Sequence, residues 1–209
     1  MGVLTIGVLL SWEGSWQVGD TVAPAILVAV DEINSNAALL PNTTVEWVWT
    51  DSWCQSKEAL PAIMELNREY DIDVFIGPPC SVVAIQAGHL AEWWGKPMIS
   101  WGAAAPSLSD KIQFPNFLRT VGPYRLLIPL MIELAKTHGW QSATILSSST
   151  ATDGVYAPTA VETEKRMRAA GIDSYFKTYA SDSMLNATMR EVSRLKSRVV
   201  FMFDYVSDL

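Results

Sequence analysis

The chain has 209 residues, and its hydrophobic content of 49% is typical of a folded globular protein rather than a disordered one. Its formal net charge is −7 and its sequence pI is about 4.8. Nucleic acid and anionic lipid attract concentrated Lys and Arg, so this charge argues against both partners.

The sequence has no apolar run close to the roughly 20 residues that a membrane-spanning helix needs. The longest candidate, residues 126–134, is interrupted by Pro129 and Glu133. Residues 1–10 have no basic start and no small-residue cleavage site, which indicates a first β-strand rather than a signal peptide. Any membrane contact is therefore expected only through segments outside this chain.

Strand and helix patterns alternate along the whole chain. Strands are predicted at 3–10, 44–50, 73–76, 97–101, 116–120, 142–146, 174–179 and 199–204. Helices are predicted at 20–34, 56–70, 81–94, 124–138, 154–170 and 182–196. Pro61 is expected to disturb the second helix, and Pro129 to kink the fourth. This alternation predicts an α/β fold with doubly wound parallel sheets.

Residues 73–111 are the most informative part of the sequence. A short strand ends at Gly77, where two prolines follow, and Ser81 is predicted to cap the next helix. A helix that joins two apolar strands implies a parallel, right-handed crossover, which brings the carboxyl ends of both strands to one edge of the sheet. Residues 77–81 and 100–102 are therefore expected at that edge.

Ligands of open α/β sheets bind at the carboxyl ends of strands. By this rule we select ligand candidates after the strands of two sheets, whose facing edges would form a cleft. The candidates are Ser11, Trp12, Ser81, Trp101, Gly102, Ser148 and Tyr179, within wider strand-end segments at 11–12, 51–52, 77–81, 100–102, 147–150, 179–181 and 204–205. Ordinary capping and loop roles remain the alternative for each residue.

Catalytic and metal-binding patterns are absent from the sequence. His89 is predicted inside a helix and His138 at a helix end, and neither has a nucleophile or an orienting acid nearby in sequence. No phosphate-binding or nucleophile-elbow motif occurs, and two cysteines without a neighbouring histidine do not form a zinc site. The aspartates at 20, 51, 153 and 204 are scattered, and we assign them to helix capping or to the solvated surface.

The two cysteines and two glycosylation sequons bear on the compartment. Cys54 and Cys80 each follow a predicted strand, so a bridge between them and a pair of buried free thiols are both compatible with the sequence. Asn42 and Asn186 begin sequons, whose alternative interpretation is ordinary polar surface. Together these features favour an extracellular location.

The nine tryptophans exceed what a core of this size needs. Adjacent helical residues cannot face the same core, and Trp94 continues the apolar stripe of its predicted helix. Trp93 is therefore a candidate for a subunit or partner contact, since exposed aromatic side chains are favoured at interfaces. The alternative is that Trp93 packs beneath a neighbouring loop.

Three segments in order, GPPCSVVAIQ at 77–86, ISWGAAAPSLSDK at 99–111 and FPNFLRT at 114–120, resemble the receptor ligand-binding family of the bilobed periplasmic-binding-protein type I fold. Within it, the chain looks most like the ectodomains of receptor guanylyl cyclases and natriuretic peptide receptors. The resemblance implies a first ligand-binding lobe at 1–121 and part of a second lobe at 122–209. It also implies that the second lobe is incomplete and the chain a fragment.

The resemblance further implies an extracellular ligand-binding region of a single-pass plasma-membrane receptor that senses a peptide as a homodimer. An intracellular guanylyl cyclase would lie outside this chain, which has no catalysis of its own. The family carries a disulfide at the positions of Cys54 and Cys80. No cofactor is expected, and chloride binding near Cys80 is disfavoured because Pro79 lacks a backbone donor.

The stretch at 103–105 is Ala-Ala-Ala, where amino-acid-binding members of the family carry hydroxyl residues that hold the ligand. This departure disfavours an amino-acid ligand and supports the peptide-receptor branch. The alternatives are a soluble periplasmic-type solute-binding protein, an amino-acid-type receptor ectodomain or, as the third choice, an enzyme on the same scaffold.

Overall fold

The computed structural model describes residues 2–149, 155–195 and 197–204. The chain forms two compact units, Met1–Val121 and Gly122–Leu209. Each unit has a parallel sheet with helices between its strands, as the sequence predicts. None of the described helices is long and apolar enough to cross a membrane.

Unit 1 contains five strands and three α-helices. In chain order they are β1 Gly2–Leu10, α1 Gly19–Ser35, β2 Thr43–Asp51, α2 Ser56–Glu69, β3 Val74–Ile76, α3 Ser81–Trp94, β4 Met98–Ser100 and β5 Phe117–Arg119. A short 3-10 helix, Pro106–Ser109, precedes β5. The strand order is β2-β1-β3-β4-β5, and every pair is parallel.

Part of the core of unit 1 lies between the sheet and α3. The helix presents small residues to the sheet, among them Val83, Ala87 and Ala91, which are fully buried. Gly88 lies so close to Phe114 that an added Cβ would be 3.0 Å from that ring. Small side chains therefore let α3 pack closely against the sheet and against the segment that precedes β5.

Unit 2 is smaller. Its elements are α4 Leu127–Thr137, β6 Ser142–Ser148, α5 Tyr156–Ala169, β7 Asp173–Tyr179, α6 Asp182–Val192 and β8 Val200–Phe203. The parallel sheet has the order β7-β6-β8. Ile145 of β6 packs with Ala135 of α4, Met167 of α5 and Phe203 of β8 to form the core of this unit.

Two helix boundaries differ from the predictions, and one that a proline was expected to disturb agrees. The segment predicted as helical from 124 begins as a 3-10 turn, Tyr124–Leu126, so Pro129 falls in the first turn of α4. A proline there costs no hydrogen bond, because that N–H has no partner within the helix. Pro61 lies inside α2, which nevertheless begins at Ser56 as predicted. Helix α6 ends at Val192, four residues before the predicted end.

Candidate functional site

The carboxyl ends of β1, β2, β3 and β4 meet at one edge of the unit 1 sheet. The register pairs Leu10 with Asp51, Val8 with Ile76 and Ile76 with Ile99, so the four strands end side by side. We call the segments that follow these strands the unit 1 rim, and they comprise residues 11–19, 51–55, 77–81 and 100–105. The predicted convergence of 77–81 with 100–102 is confirmed by this parallel pairing.

A disulfide between Cys54 and Cys80 joins two segments of the rim. The Cα atoms of the two cysteines are 5.3 Å apart, and both residues are buried. Trp53 and Cys54 have φ angles of 47° and 54°, in the left-handed region that non-glycine residues rarely adopt. The bridge confirms the pairing implied by the resemblance, and the alternative of two free thiols is wrong.

Gly77 ends β3 in a conformation that only glycine tolerates. Its φ is +99°, and a Cβ at this position would lie 2.1 Å from the carbonyl oxygen of Leu9. The Gly77 N–H donates to the carbonyl of Ile99 at 2.8 Å. The missing side chain therefore lets β3 turn away from the sheet while remaining in contact with the strands on both sides.

Two serines of the rim, Ser81 and Ser100, bind the backbone of residues 103–105. Ser81 does not cap α3: Cys80 occupies the cap position, and the Ser81 hydroxyl accepts a hydrogen bond from the Ala105 N–H at 3.1 Å. The Ser100 hydroxyl donates to the Pro78 carbonyl at 2.7 Å and accepts from the Ala103 N–H at 3.0 Å. The predicted capping role of Ser81 is therefore wrong, and both hydroxyls hold a loop in place.

Arg119 at the end of β5 holds the other side of the same loop. Its guanidinium donates to the carbonyls of Ala103 and Ala105 at 3.1 and 2.9 Å, and to the Ser109 hydroxyl. All three alanines at 103–105 are buried. A hydroxyl at these positions would point into the protein in this arrangement, so the alanines do not support the expectation that amino-acid ligands are disfavoured.

Four tryptophans form two ring pairs at the rim. The ring centroids of Trp12 and Trp49 are 4.4 Å apart, and those of Trp16 and Trp101 are 5.7 Å apart. Gly102 lies against the second pair, since an added Cβ would be 3.2 Å from the Trp16 ring. The structure thus brings the predicted candidates Trp12, Trp101 and Gly102 to one edge, with all three partly exposed.

The sequence interpretation missed Trp16 and Trp49 as partners of the candidate tryptophans. Trp49 is on β2, the edge strand of the sheet, and its side chain is 52% exposed. The sequence signal was that Trp47 and Trp49, two residues apart on a predicted strand, lie on the same face of that strand. Pairing with Trp12 depends on the order of β1 and β2 in the sheet, which the sequence pattern does not specify.

Two buried polar atoms of the rim have no hydrogen-bond partner within the described part of the chain. They are the Ser52 hydroxyl and the indole Nε1–H of Trp101. Ser11, another candidate, is fully buried, and its hydroxyl donates to the carbonyl of Glu13 at 2.9 Å. Unsatisfied buried polar atoms are rare in folded proteins and often mark places where water or a ligand binds.

The sequence interpretation assigned Asp51 to helix capping or to the solvated surface, and both assignments are wrong. Its side chain is only 9% exposed, and its carboxylate accepts hydrogen bonds from three backbone N–H groups of the rim. An aspartate at the end of a strand that accepts from the N–H two residues later forms an Asx turn, so only its bond to Trp53 had a local sequence signal.

In unit 2, the candidates Ser148 and Tyr179 are paired neighbours at the ends of β6 and β7. Both are nearly fully buried. The Tyr179 hydroxyl donates to the carboxylate of Asp204, and the Tyr179 carbonyl accepts from the Ser149 N–H at 2.8 Å. Thr150 and Tyr205, which belong to the predicted strand-end segments, lie outside the described residues.

The remaining predicted residues belong to none of the rim segments. The Trp93 side chain is 86% exposed, so the alternative that it packs beneath a loop is wrong, whereas the Trp94 ring stacks on Phe75 at 5.7 Å. Asn42 and Asn186 are both exposed. Nowhere in residues 2–149, 155–195 and 197–204 do three or more His, Cys, Asp or Glu side chains lie close enough to hold a metal ion.

Comparison with protein families gives a match over residues 21–209 to the family described as Receptor family ligand binding region. The chain belongs to this family. The family is described by its binding of ligands. Membership agrees with the two parallel sheets of the structure and with the resemblance found in the sequence.

Several curated proteins are similar to this member of the receptor ligand-binding family. Gamma-aminobutyric acid type B receptor subunit 1 of Mus musculus is 27% identical over 204 residues, 97% of this chain and 21% of that protein. Glutamate receptor 3.1 of Oryza sativa subsp. japonica is 27% identical over 190 residues, 88% of this chain and 20% of that protein. The chain spans about a fifth of the length of these relatives.

Guanylate cyclase 2G of Rattus norvegicus is also similar, at 26% identity over 149 residues, which is 71% of this chain and 14% of that protein. The resemblance to the family is therefore confirmed. The expectation that guanylyl cyclase receptors resemble the chain most is not confirmed, because the gamma-aminobutyric acid and glutamate receptors match more of the chain than the guanylate cyclase does.

Proposed function

We propose that this chain is the ligand-binding region of a cell-surface receptor for a small ligand of the amino-acid type. The observation that carries the proposal is the unit 1 rim, where partly exposed tryptophans and two unpartnered buried polar atoms all lie along the edge formed by the carboxyl ends of the parallel strands. The relatives named for gamma-aminobutyric acid and for glutamate support the ligand class.

The rim offers both kinds of contact that a small amino acid needs. Indole faces attract an ammonium group through cation–π interaction and also pack against an aliphatic chain. The Trp101 Nε1–H is a donor without an acceptor in the described part of the chain, and a ligand carboxylate oxygen would satisfy it. In this proposal Ser81 and Ser100 act indirectly, because their hydroxyls already bind the loop at 103–105.

The ligand would act by favouring one arrangement of the receptor over another, and only a difference in affinity between the two states can drive such a shift. An extracellular location fits the disulfide and the exposed Asn42 and Asn186 sequons. A homodimer is part of the proposal, with the exposed Trp93 as the candidate contact. Sedimentation of wild-type and Trp93→Ala proteins tests it, and a monomeric wild type would contradict it.

A peptide receptor of the guanylyl cyclase type is the second candidate. Its support is the similarity to guanylate cyclase 2G, which covers less of the chain than the similarity to the gamma-aminobutyric acid receptor. A soluble periplasmic-type solute-binding protein uses the same fold and is the third. A membrane-spanning segment downstream of Leu209 in the gene would favour either receptor over the solute-binding protein.

The function is tested by thermal unfolding of the secreted protein in the presence of γ-aminobutyric acid or L-glutamate. Butyrate and butylamine are the controls, since each lacks one of the two charged groups of γ-aminobutyric acid. A ligand at one hundred times its Kd stabilises the folded state by about 2.7 kcal/mol, so we expect one amino acid to raise Tm by several degrees and the controls to have no effect. No response to either amino acid, together with a rise in Tm with a natriuretic-type peptide, would favour the second candidate.

A further inference from the structure

We propose that Asp51 is a positioning residue that holds Trp12 against Trp49 and thereby sets the ligand affinity of the unit 1 rim. The statement about affinity rests on the proposed function, whereas the statement about the ring pair does not. Asp51 acts through the backbone, so it needs no contact with ligand.

The Asp51 carboxylate links the segments that follow β1 and β2. Its Oδ1 accepts from the backbone N–H groups of Trp12 at 3.2 Å and Trp53 at 2.8 Å, and its Oδ2 accepts from the N–H of Glu13 at 3.1 Å. Ser52, the next residue, donates its N–H to the Leu10 carbonyl at 2.6 Å. The Asp51 side chain therefore holds the segment that follows β1 against the segment that follows β2.

The linked segments pack with little free space. Gly14 has a φ of +90°, and an added Cβ would lie 1.8 Å from the carbonyl oxygen of Trp53. Gly19 begins α1 directly against Trp12, since an added Cβ would lie 2.5 Å from the indole ring. The Trp12 ring is thus confined between the first turn of α1 and Trp49, and the backbone position that Asp51 enforces determines where the ring lies.

The arrangement needs a carboxylate rather than an amide. Asparagine could keep one oxygen for Trp12 and Trp53, but its NH₂ group would then face the Glu13 N–H, and two donors cannot bond to each other. Hydrogen bonds to a charged acceptor are also stronger than those to a neutral one. Asp51→Asn is therefore a sharp test, because it preserves the size of the side chain and changes one acceptor into a donor.

Asp73 provides a matched control. Its Oδ2 accepts from the N–H of Thr5 at 2.8 Å, so it is also an aspartate that binds the backbone of β1. It precedes β3 and therefore lies at the opposite end of the strands from the rim. Asp73→Asn makes the same chemical change where no candidate ligand residue lies.

The readout for the ring pair is circular dichroism, because two indoles 4.4 Å apart with an interplanar angle of 48° give an exciton couplet. We expect Asp51→Asn to lose the part of the couplet that Trp49→Phe removes, and Asp73→Asn to keep it. The double variant Asp51→Asn, Trp49→Phe should lose no more than Trp49→Phe alone, since both changes act on one pair. Urea midpoints measured in parallel identify any variant that is unfolded, and Asp51→Glu, which keeps the charge, serves as the second variant.

The second readout is binding of γ-aminobutyric acid and L-glutamate. We expect Asp51→Asn to weaken binding of the amino acid that stabilises wild type by about ten-fold, because the Trp12 ring is no longer held in place before the ligand binds, with Asp73→Asn unchanged. A folded Asp51→Asn variant with the wild-type couplet, or with wild-type affinity, would overturn the inference. If wild type binds neither amino acid, the proposed function fails, and the couplet alone then decides whether Asp51 positions Trp12.

Discussion

At the scale of single residues, backbone geometry determines the structure of the rim more than side-chain chemistry does. Gly77 is required because its Cβ would overlap the Leu9 carbonyl, and Gly14 because of the Trp53 carbonyl. Neither requirement concerns a ligand. Both allow loops from neighbouring strands to approach closely enough for Trp12, Trp16 and Trp101 to share one edge.

Gly77→Ala is expected to destabilise the protein by about 3–5 kcal/mol, because it adds a backbone clash to an unfavourable φ. Gly95→Ala is the matched control: its φ is +66°, and an added Cβ meets nothing within 4 Å. We expect that variant to lose only about 1–2 kcal/mol, the cost of the left-handed conformation. Urea unfolding measures both, and equal losses would show that the contact with Leu9 is unimportant.

The sequence predicts where the rim residues lie but not what they bind. Ser81 comes after β3, and Ser100 and Trp101 lie at the end of β4, and these positions can be inferred from alternation alone. The bond from Ala105 to Ser81 cannot be inferred, because it depends on how the loop at 103–105 folds back between two strand ends. Asp51 was misassigned for the same reason, since its partners at 12 and 13 are distant in sequence.

At the scale of elements, strand and helix positions were predicted well because each has a strong periodic pattern. The boundaries that moved have local causes. Helix α4 begins after a 3-10 turn, which places Pro129 where its missing N–H is harmless. Periodicity does not predict that β1 pairs with both β2 and β3. This strand order brings Trp49 next to Trp12.

The connections after β2 and β3 are held together by the Cys54–Cys80 disulfide, which spans a sequence separation of 26 residues. By the loop-entropy argument, a bridge of this span stabilises the folded state by about 3–4 kcal/mol. We expect the Cys54→Ala, Cys80→Ala variant to lose about this much in urea unfolding. Reductant should lower the midpoint of wild type but not of the variant. The same midpoint for wild type and the variant in the absence of reductant would contradict the prediction.

At the scale of the whole molecule, the fold and the family could be predicted, whereas the branch of the family could not. The motifs at 77–86, 99–111 and 114–120 build the rim and the contacts of Arg119 with its loop, so they report the shared architecture. The preference for a peptide receptor relied on the likeness to receptor guanylyl cyclase ectodomains and was supported by the three alanines at 103–105. Because these alanines are buried, they carry little information about a ligand at the exposed part of the rim.

The assignment of residues 1–121 to a first ligand-binding lobe leads to a test by truncation. Unit 1 has its own five-stranded sheet, a disulfide and a core that includes Phe75, Phe114 and Phe117. We therefore expect residues 1–121 alone to unfold cooperatively in urea with tryptophan fluorescence as the probe, and with an m-value reduced in proportion to the smaller surface that unfolding exposes.

A shorter chain that ends at residue 111 is the control for this truncation. It lacks β5, and with it the buried rings of Phe114 and Phe117 and the guanidinium of Arg119 that binds Ala103 and Ala105. Each lost ring costs about 3–5 kcal/mol, comparable to the whole stability of a small domain, so this chain should not fold. If residues 1–121 also fail to fold, the first lobe depends on residues beyond 121, and the boundary at 121–122 does not separate independent domains.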